Sequence, residues 1–383
     1  MDDFPAGPAS PGPRRPPLSV VIPVHNGGRD FGRCLRGLRD STRSDYELVV
    51  VDDGSTDGSA DLAGATGARV IRVPTRLGPA AARNAGALAA SAPLIFFLDA
   101  DVAVHPDTLD RAMARFDADP GLAGLFGSYD DSPAAPGLVS RFRNLLHHHV
   151  HQSGTFEDDA RPARTFWTGC GLIRRDVFLE AGGFDPKLYR RPAIEDIELG
   201  YRVTRAGHRI LLARDVQATH LKRWTLAEMI RTDVYCRGVP WLLLMKRSGV
   251  VETDLNVSRS QRACVAATAL GLLGAAASPW SPSLLALLPA SVAAIVALNR
   301  DFYRFLARRR GPLFAVASTP MHLVYYGCCG ASVVIALALW HFKSGRVEGE
   351  PAPAPDGRRV DPAGAVASPN PHPSTRRPRS KAR

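Results

Sequence analysis

Two aspartates, Asp99 and Asp101, end the apolar run LIFFL in the stretch FFLDADV. Carboxylates at i and i+2 on a strand end repel each other unless a cation lies beside them. A hard divalent ion, Mg2+ or Mn2+, takes one or two carboxylates and fills its remaining positions with diphosphate oxygens. The pair also reads as a polar turn, with Asp101 or Asp107 capping the helix that HPDTLDRAMARF begins. A second acidic strand end, VVVDDGSTDGS, carries Asp52 and Asp53. It too is turn-forming, and a carboxylate there can accept an N–H from a base or a hydroxyl from a ribose. IEDIELGYR sets Glu195, Asp196 and Glu198 in a first helical turn, as dipole partners or as a base for a hydroxyl. Arg83, in RLGPAAARNAGALAAS, sits among small residues, where a backbone or a ligand can come close. It can meet a phosphate or a base, or be a surface arginine.

Other groups are less specific. Trp167 in WTGCG can stack on a sugar or a lipid, or pack in a core. Cys170 beside it needs no reactivity. In NLLHHHVHQ, His147 and His151 share a helix face at the spacing of metal ligands. No glutamate lies between them and no third ligand is evident, so a structural role, or a helix facing the acceptor, is preferred to zinc.

The elements that must carry these groups are legible up to about residue 225. LSVVIPV (18–24), ELVVVD (47–52), ARVIRV (68–73) and PLIFFLD (93–99) read as strands buried on both faces. Helical patterns fall near 28–40, 56–66, 78–91 and 106–118. Strand–helix alternation predicts a parallel sheet with right-handed crossovers, and ligands on such sheets bind beyond the strands' carboxyl ends. HNGG, DDGST and DAD all lie there.

After Arg262 three apolar segments follow, at 264–278, 284–298 and 321–340. The last has span length, and the shorter two suit tilted spans, a re-entrant hairpin or a buried pair. Basic residues flank the first two, as for a hairpin with both ends in the cytosol. Leu226, Met229, Ile230 and Val234 give the preceding segment an apolar face, which predicts an interfacial helix. The chain thus divides into a disordered leader (1–16), a catalytic domain (17–250), a membrane region (251–342) and a disordered Pro-rich tail (343–383).

The net charge of +11 and the pI of 9.7 admit nucleic acid, anionic lipid or a phosphorylated substrate. The basic residues cluster beside the apolar segments, which favours a membrane surface. No recognition helix or aromatic platform points to nucleic acid. Six cysteines without a metal-ligand ladder fit a reducing compartment. HNGGRDFG, standing where G-x-G-x-x-G would be required, argues against a dinucleotide-dependent oxidoreductase.

Taken together, SVVIPVHNGG, VVVDDGSTDGS, RLGPAAARNAGA, FFLDADV, FWTGCGLIRRDVFLEAGGFDP and IEDIELGYRVTRAGHRI resemble the family-2 glycosyltransferases. The resemblance covers about residues 18–225. It implies an α/β, GT-A nucleotide-diphospho-sugar transferase fold with a mostly parallel central sheet, here followed by C-terminal transmembrane helices. It implies inverting transfer from a nucleotide-diphosphate sugar. Carried over, Pro23, His25, Asn26 and Asp53 would hold the nucleoside with Arg83 nearby, and Asp99 and Asp101 would form the metal motif. Asp196 would be the base, with Glu195 supporting it or binding the acceptor. Ile194 stands where many membrane members have threonine. Trp167, Gly169 and Cys170 would belong to the acceptor-side wall. HLKRW (220–224) matches the family's Gln-x-x-Arg-Trp signature except at His220. Arg223 and Trp224 would therefore touch the donor, and His220 would complete the shell of Mg2+ or Mn2+. The apolar segments imply a lipid-linked or membrane-presented acceptor, and a cytosolic catalytic domain on the cytoplasmic membrane. A processive polysaccharide synthase and a catalytically silent scaffold of an envelope-assembly complex are the alternatives.

Overall fold

The computed structural model describes residues 16–249 and 258–344. The expectations for the leader and the tail fall, almost entirely, outside the described residues.

The chain begins as a strand–helix alternation. β1 (Leu18–Val24), α1 (Gly28–Arg39), β2 (Tyr46–Asp53), α2 (Ser59–Gly64), β3 (Arg69–Val73), α3 (Pro79–Ala89) and β4 (Leu94–Leu98) succeed one another. β5 (Val102–Val104), α4 (Thr108–Ala118), β6 (Leu122–Tyr129), α5 (Leu138–Gln152), β7 (Ala160–Ala163), β8 (Cys170–Arg174) and α6 (Arg175–Glu180) follow. α7 (Glu195–Arg205) and the long β9 (Arg209–His220) complete the sheet. The strands form one nine-stranded sheet in the order β3-β2-β1-β4-β8-β6-β9-β5, with β7 on β9. β1, β2, β3, β4, β6 and β9 run one way, and β5, β7 and β8 run against them.

β1 is continuously apolar because it is covered on both sides. Val20, Ile22 and Val24 share a core with Phe31, Leu35 and Leu38 of α1. Val21 faces the other core, with Ala80 and Ala87 of α3. The small residues of α3 serve this packing. A Cβ on Gly86 would stand 2.3 Å from Val21 Cγ1, so the helix lies directly on the strand. The close approach expected around Arg83 is therefore that of the sheet.

Beyond the sheet, α8 (Leu226–Arg231), a π-helical stretch (Thr232–Gly238) and α9 (Val239–Ser248) run on as one helical segment. α10 (Arg259–Ala277) and α11 (Leu287–Leu298) form a tight pair. Added Cβ atoms at Gly271 and Gly274 would stand 2.3 Å from Ser291 Oγ and 2.6 Å from the Leu284 carbonyl oxygen. α12 (Arg300–Arg310), α13 (Pro312–Ala317) and α14 (Thr319–Ser344) close the described chain. Phe142, Leu145 and Leu146 of α5 share a cluster with Cys264, Ile295, Phe302, Leu306 and Tyr326. The C-terminal helices thus pack on the sheet domain's own helix.

The three apolar segments do not become three equal spans. Pro312–Phe342 is long and apolar enough to cross a membrane, with a mean hydropathy of 1.9. Only 28% of its most apolar window is buried, unlike a core helix. Pro282–Leu298 and Arg300–Arg310 reach that standard only as one pair bent by 78°. α10 does not reach it, because Arg259, Gln261, Arg262 and its small residues dilute its apolar character.

Candidate active site

The carboxyl ends of β1, β2 and β4, the start of α7 and the end of β9 open into one cleft of about 1090 Å3. Pro23, His25, Asn26, Asp53, Arg83, Asp99, Asp101, Trp167, Glu195, Asp196, His220 and Trp224 all line it. Residues from seven motifs, up to 201 positions apart in the chain (23 to 224), therefore meet in one place.

At its floor Arg83 is buried between two carboxylates. Nη1 donates to Glu195 Oε1 at 2.8 Å and Nη2 to Asp99 Oδ1 at 2.6 Å. Burial opposes the charge, but Asp99 and then Glu195 overcome it and push the guanidinium pKa up. Arg83 thus fastens α3 to the end of β4 and the start of α7, and its charge serves these partners. Glu195 Oε2 also accepts the Ala193 N–H at 2.9 Å, which fixes the helix start.

Asp196 lies half-buried one residue further on. Its Oδ2 accepts the Thr168 N–H at 3.2 Å and the Thr168 hydroxyl at 3.4 Å, and its Oδ1 the Ile197 N–H at 2.8 Å. Burial and then the adjacent Glu195 charge push its pKa up to about 7, against the opposing pull of Arg83. An aspartate so placed can take a proton near neutral pH.

Asp101 meets His220 rather than Asp99. His220 Nε2 stands 3.7 Å from Asp101 Oδ2, and its Nδ1 lies 2.6 Å from Asn144 Oδ1. An amide oxygen accepts, so Nδ1 donates to it and Nε2 is the nitrogen that faces Asp101. The imidazole stacks on Tyr129, with centroids 4.2 Å apart and an interplanar angle of 5°. Burial would raise the Asp101 pKa; His220 and then the charge of Lys222 hold it below the usual carboxylate range. Asp99, expected beside the metal, instead gives Oδ1 to Arg83. Among the described residues, no three His, Cys, Asp or Glu side chains form a ready metal cage.

The nucleoside-side group is a bonded loop assembly. Asp53 accepts the backbone N–H groups of Leu77 (2.6 Å) and Gly78 (2.9 Å), and His25 Nδ1 lies 2.8 Å from the Asp53 carbonyl oxygen. Asn26, in the left-handed region at φ 51°, accepts the Thr56 N–H through Oδ1 at 2.8 Å. Asp53 therefore ties down the loop before α3, and a carboxylate retains further lone pairs for a ligand.

Several expected positions fall elsewhere. Cys170 is fully buried in β8, paired with Leu98, and burial pushes its thiol up to about 12. Gly169 lies under the Trp167 indole, where a Cβ would stand 2.2 Å from the ring. Neither lines the cleft: Cys170 points into the core from β8, Gly169 lies in the turn before it, and only Trp167 of that trio borders the cleft. Arg223 is exposed and outside the cleft, and Lys222 takes the inner place with Nζ 4.3 Å from the Trp224 ring centroid. The histidine helix is structural on two counts. His148 and His151 meet the carbonyl oxygens of Tyr129 and Gly127 at 2.7 and 3.0 Å. His147 packs between Tyr129 and Trp167, and burial pushes its pKa well down.

Sequence reasoning missed Thr168, Asn144, Tyr129 and Lys222. Thr168, Asn144 and Lys222 stand inside the motifs FWTGCG, NLLHHHVHQ and HLKRW, while Tyr129 carries no local signal.

Residues 19–182 match the family described as Glycosyl transferase family 2. The chain carries a family-2 glycosyltransferase domain. The match ends before Glu195, Asp196 and His220, which the fold brings to the same cleft. The domain is similar to glycosyltransferase AglE of Haloferax volcanii, 27% identical over 54% of this chain and 68% of that protein. It is also similar to validoxylamine A glucosyltransferase of Streptomyces hygroscopicus subsp. jinggangensis, 31% identical over 60% of this chain and 62% of that one. Among solved structures it resembles mannosyltransferase PcManGT from Pyrobaculum calidifontis, in complex with GDP-Man and Mn2+. The TM-score is 0.53, with 19% identity over 85% of this chain and 88% of that one. The glycosyltransferase domain has the GT-A fold.

Proposed function

We propose that this glycosyltransferase moves a sugar, with inversion, from a nucleotide-diphosphate sugar to a membrane-associated acceptor in cell-envelope glycan or glycolipid synthesis. The observation that carries the catalytic part is Asp196, a carboxylate poised near neutral pH in the same cleft as Asp101 and His220.

Asp101 Oδ2 and His220 Nε2 are one hard oxygen and one imidazole nitrogen, 3.7 Å apart. The Asn144 bond that fixes the imidazole is the kind of outer partner that metal-binding histidines keep. This donor set fits Mn2+ or Mg2+, with the donor's phosphate oxygens completing the shell. Such an ion would neutralise the leaving diphosphate. Lys222, which also bears on Asp101, adds a positive charge at the same end of the cleft. Asp53, His25 and Asn26 form the nucleoside-side wall.

In the transfer, the acceptor hydroxyl oxygen bonds to the anomeric carbon while the bond from that carbon to the diphosphate oxygen breaks. The electron pair leaves on the diphosphate, and the hydroxyl proton passes to Asp196. Thr168 holds the carboxylate in place through two bonds to Oδ2. Arg83 works through Glu195 and Asp99, holding the base's helix against the end of β4.

The exposed apolar helix Pro312–Phe342 supports membrane attachment, with the catalytic domain on the cytosolic face of the cytoplasmic membrane. The domain plan is a catalytic domain to about residue 250 with a membrane region after it. The test incubates the purified protein with a panel of nucleotide-diphosphate sugars, Mn2+ and a lipid extract. Sugar incorporation into the organic phase from one donor supports the proposal. Transfer only to water-soluble acceptors would remove its membrane part, and none from any donor would remove its catalytic part.

A further inference from the structure

Several arginines of the cleft have no carboxylate partner among the described residues. Asp99 and Glu195 are bonded to Arg83, Asp53 to two backbone N–H groups, Asp196 to Thr168 and Ile197, and Glu228 to its own N-cap Thr225. Arg76, Arg190, Arg191, Arg231 and Arg237 line the same cleft, and none has a carboxylate within ion-pair distance among the described residues. A nucleotide-diphosphate sugar carries one negative charge on each phosphate. A divalent ion at Asp101 and His220, together with Lys222, offsets that charge. Arg76 stands beside Gly54 at the nucleoside-side loop, and the other four arginines are left without a partner.

Their placement is informative. Arg231 ends α8, and Arg237 lies in the π-helical stretch that follows. Arg191, Arg231 and Lys222 each act on the Cys236 thiol of that stretch, so their fields overlap there. The other side of the stretch rests on α14. Val234 and Val239 share an apolar cluster with Cys328 and Ala336, and a Cβ on Gly238 would stand 2.2 Å from Ser332 Oγ. The same segment leaves Leu226, Ile230 and Tyr235 exposed, Tyr235 at 63%. An exposed apolar set, a basic set in the cleft and a packed seam on the helix able to cross a membrane thus coincide on one helical segment. π-helical turns often mark such functional stretches.

We infer that Arg190, Arg191, Arg231 and Arg237 form a second anion site, separate from the donor's diphosphate site, which anchors the phosphate of an amphiphilic, lipid-phosphate acceptor at the membrane surface. The inference deepens the proposed function and rests on it. Arginine forks suit phosphate oxygens, and the exposed Leu226, Ile230 and Tyr235 give the acceptor's apolar tail an adjoining surface. The site anchors the acceptor; the bonds made and broken are those already described.

The test uses the full chain in neutral detergent and measures binding by calorimetry. The probes are farnesyl phosphate, farnesol, inorganic phosphate and phosphatidylglycerol, with UDP and GDP plus Mn2+ titrated separately. Farnesyl phosphate is expected to bind at least tenfold more tightly than farnesol or inorganic phosphate. Arg231→Ala/Arg237→Ala is expected to weaken it at least tenfold, and Arg231→Lys/Arg237→Lys less, with nucleotide affinity within twofold of the parent. Equal affinity for farnesol and farnesyl phosphate would overturn the inference. So would equal binding of phosphatidylglycerol, which would make the arginines a bilayer contact, or a matching loss of nucleotide binding, which would assign them to the donor. Failure of every nucleotide to bind, with farnesyl phosphate binding intact, would strike the proposed function and leave the anion site standing.

Discussion

Replacing Asp196 with asparagine separates catalysis from stability in opposite directions. The folded carboxyl has a pKa of about 7 against 3.8 for the free group. Native protein therefore binds the proton more tightly than unfolded chain, and stability falls as pH rises from about 4 to about 7. Above that window the ionised carboxylate costs the fold on the order of 4 kcal/mol. Asparagine removes the charge and its repulsion with Glu195. It offers only one oxygen, so either the Thr168 or the Ile197 bond is lost, at about 1 kcal/mol. Asp196→Asn is thus expected to be more stable than the parent by roughly 3 kcal/mol at pH 8, and to have little or no advantage at pH 4. Loss of a general base should lower turnover by about 10²–10⁴-fold. In the parent, kcat/KM should rise with pH to a plateau above about 7. Scanning fluorimetry at pH 5 and pH 8, beside release of nucleoside diphosphate under transfer conditions, reads both effects. Turnover within tenfold of the parent, or an unchanged melting difference between the two pH values, would refute the assignment of Asp196 as a base held at raised pKa.

Arg83→Met leaves Asp99 and Glu195 facing each other without a cation, and denaturant melts should show a loss of about 3–5 kcal/mol. Lys222→Ala should weaken nucleotide-diphosphate binding severalfold in a titration while Arg223→Ala leaves it unchanged, the reverse of what the HLKRW signature implies. Gly169→Ala places a methyl carbon 2.2 Å from the Trp167 ring. It should cost about 1–3 kcal/mol and change the intrinsic fluorescence as the indole is displaced.

The first half of the fold was legible because its strands are buried on both faces. Continuous apolar runs such as LSVVIPV and LIFFL end in polar clusters, and β1, β2 and β4 fall within a residue of their expected limits. Asp99, Asp101, Glu195 and Asp196 were visible for the same reason: each stands at an element boundary. What was not legible depends on tertiary contact. That Arg83 would pair with Glu195, 112 positions away, has no local signal. Nor does the choice of Lys222 over Arg223, which follows from how the chain turns after β9. Gly169 and Cys170 do not meet the cleft because the Trp167 ring covers the first and the sheet core takes the second, contacts that a sequence motif does not show. The apolar segments after residue 262 left tilted spans, a hairpin and a buried pair open, because composition alone does not separate a span from helices that pack closely through small residues, as α10 and α11 do.

The measurement closest to the central claim is nucleotide binding with and without metal. A ligand that binds only the folded chain raises its melting temperature by mass action. Nucleoside diphosphates and their sugars, each with Mn2+, Mg2+ or EDTA, would be screened against the parent, Asp101→Ala and His220→Ala. The account predicts a shift with one nucleotide that needs the divalent ion and disappears in both variants, each compared with its own melting temperature without ligand and each still unfolding cooperatively. A shift that persists in EDTA, or in both variants, would contradict it.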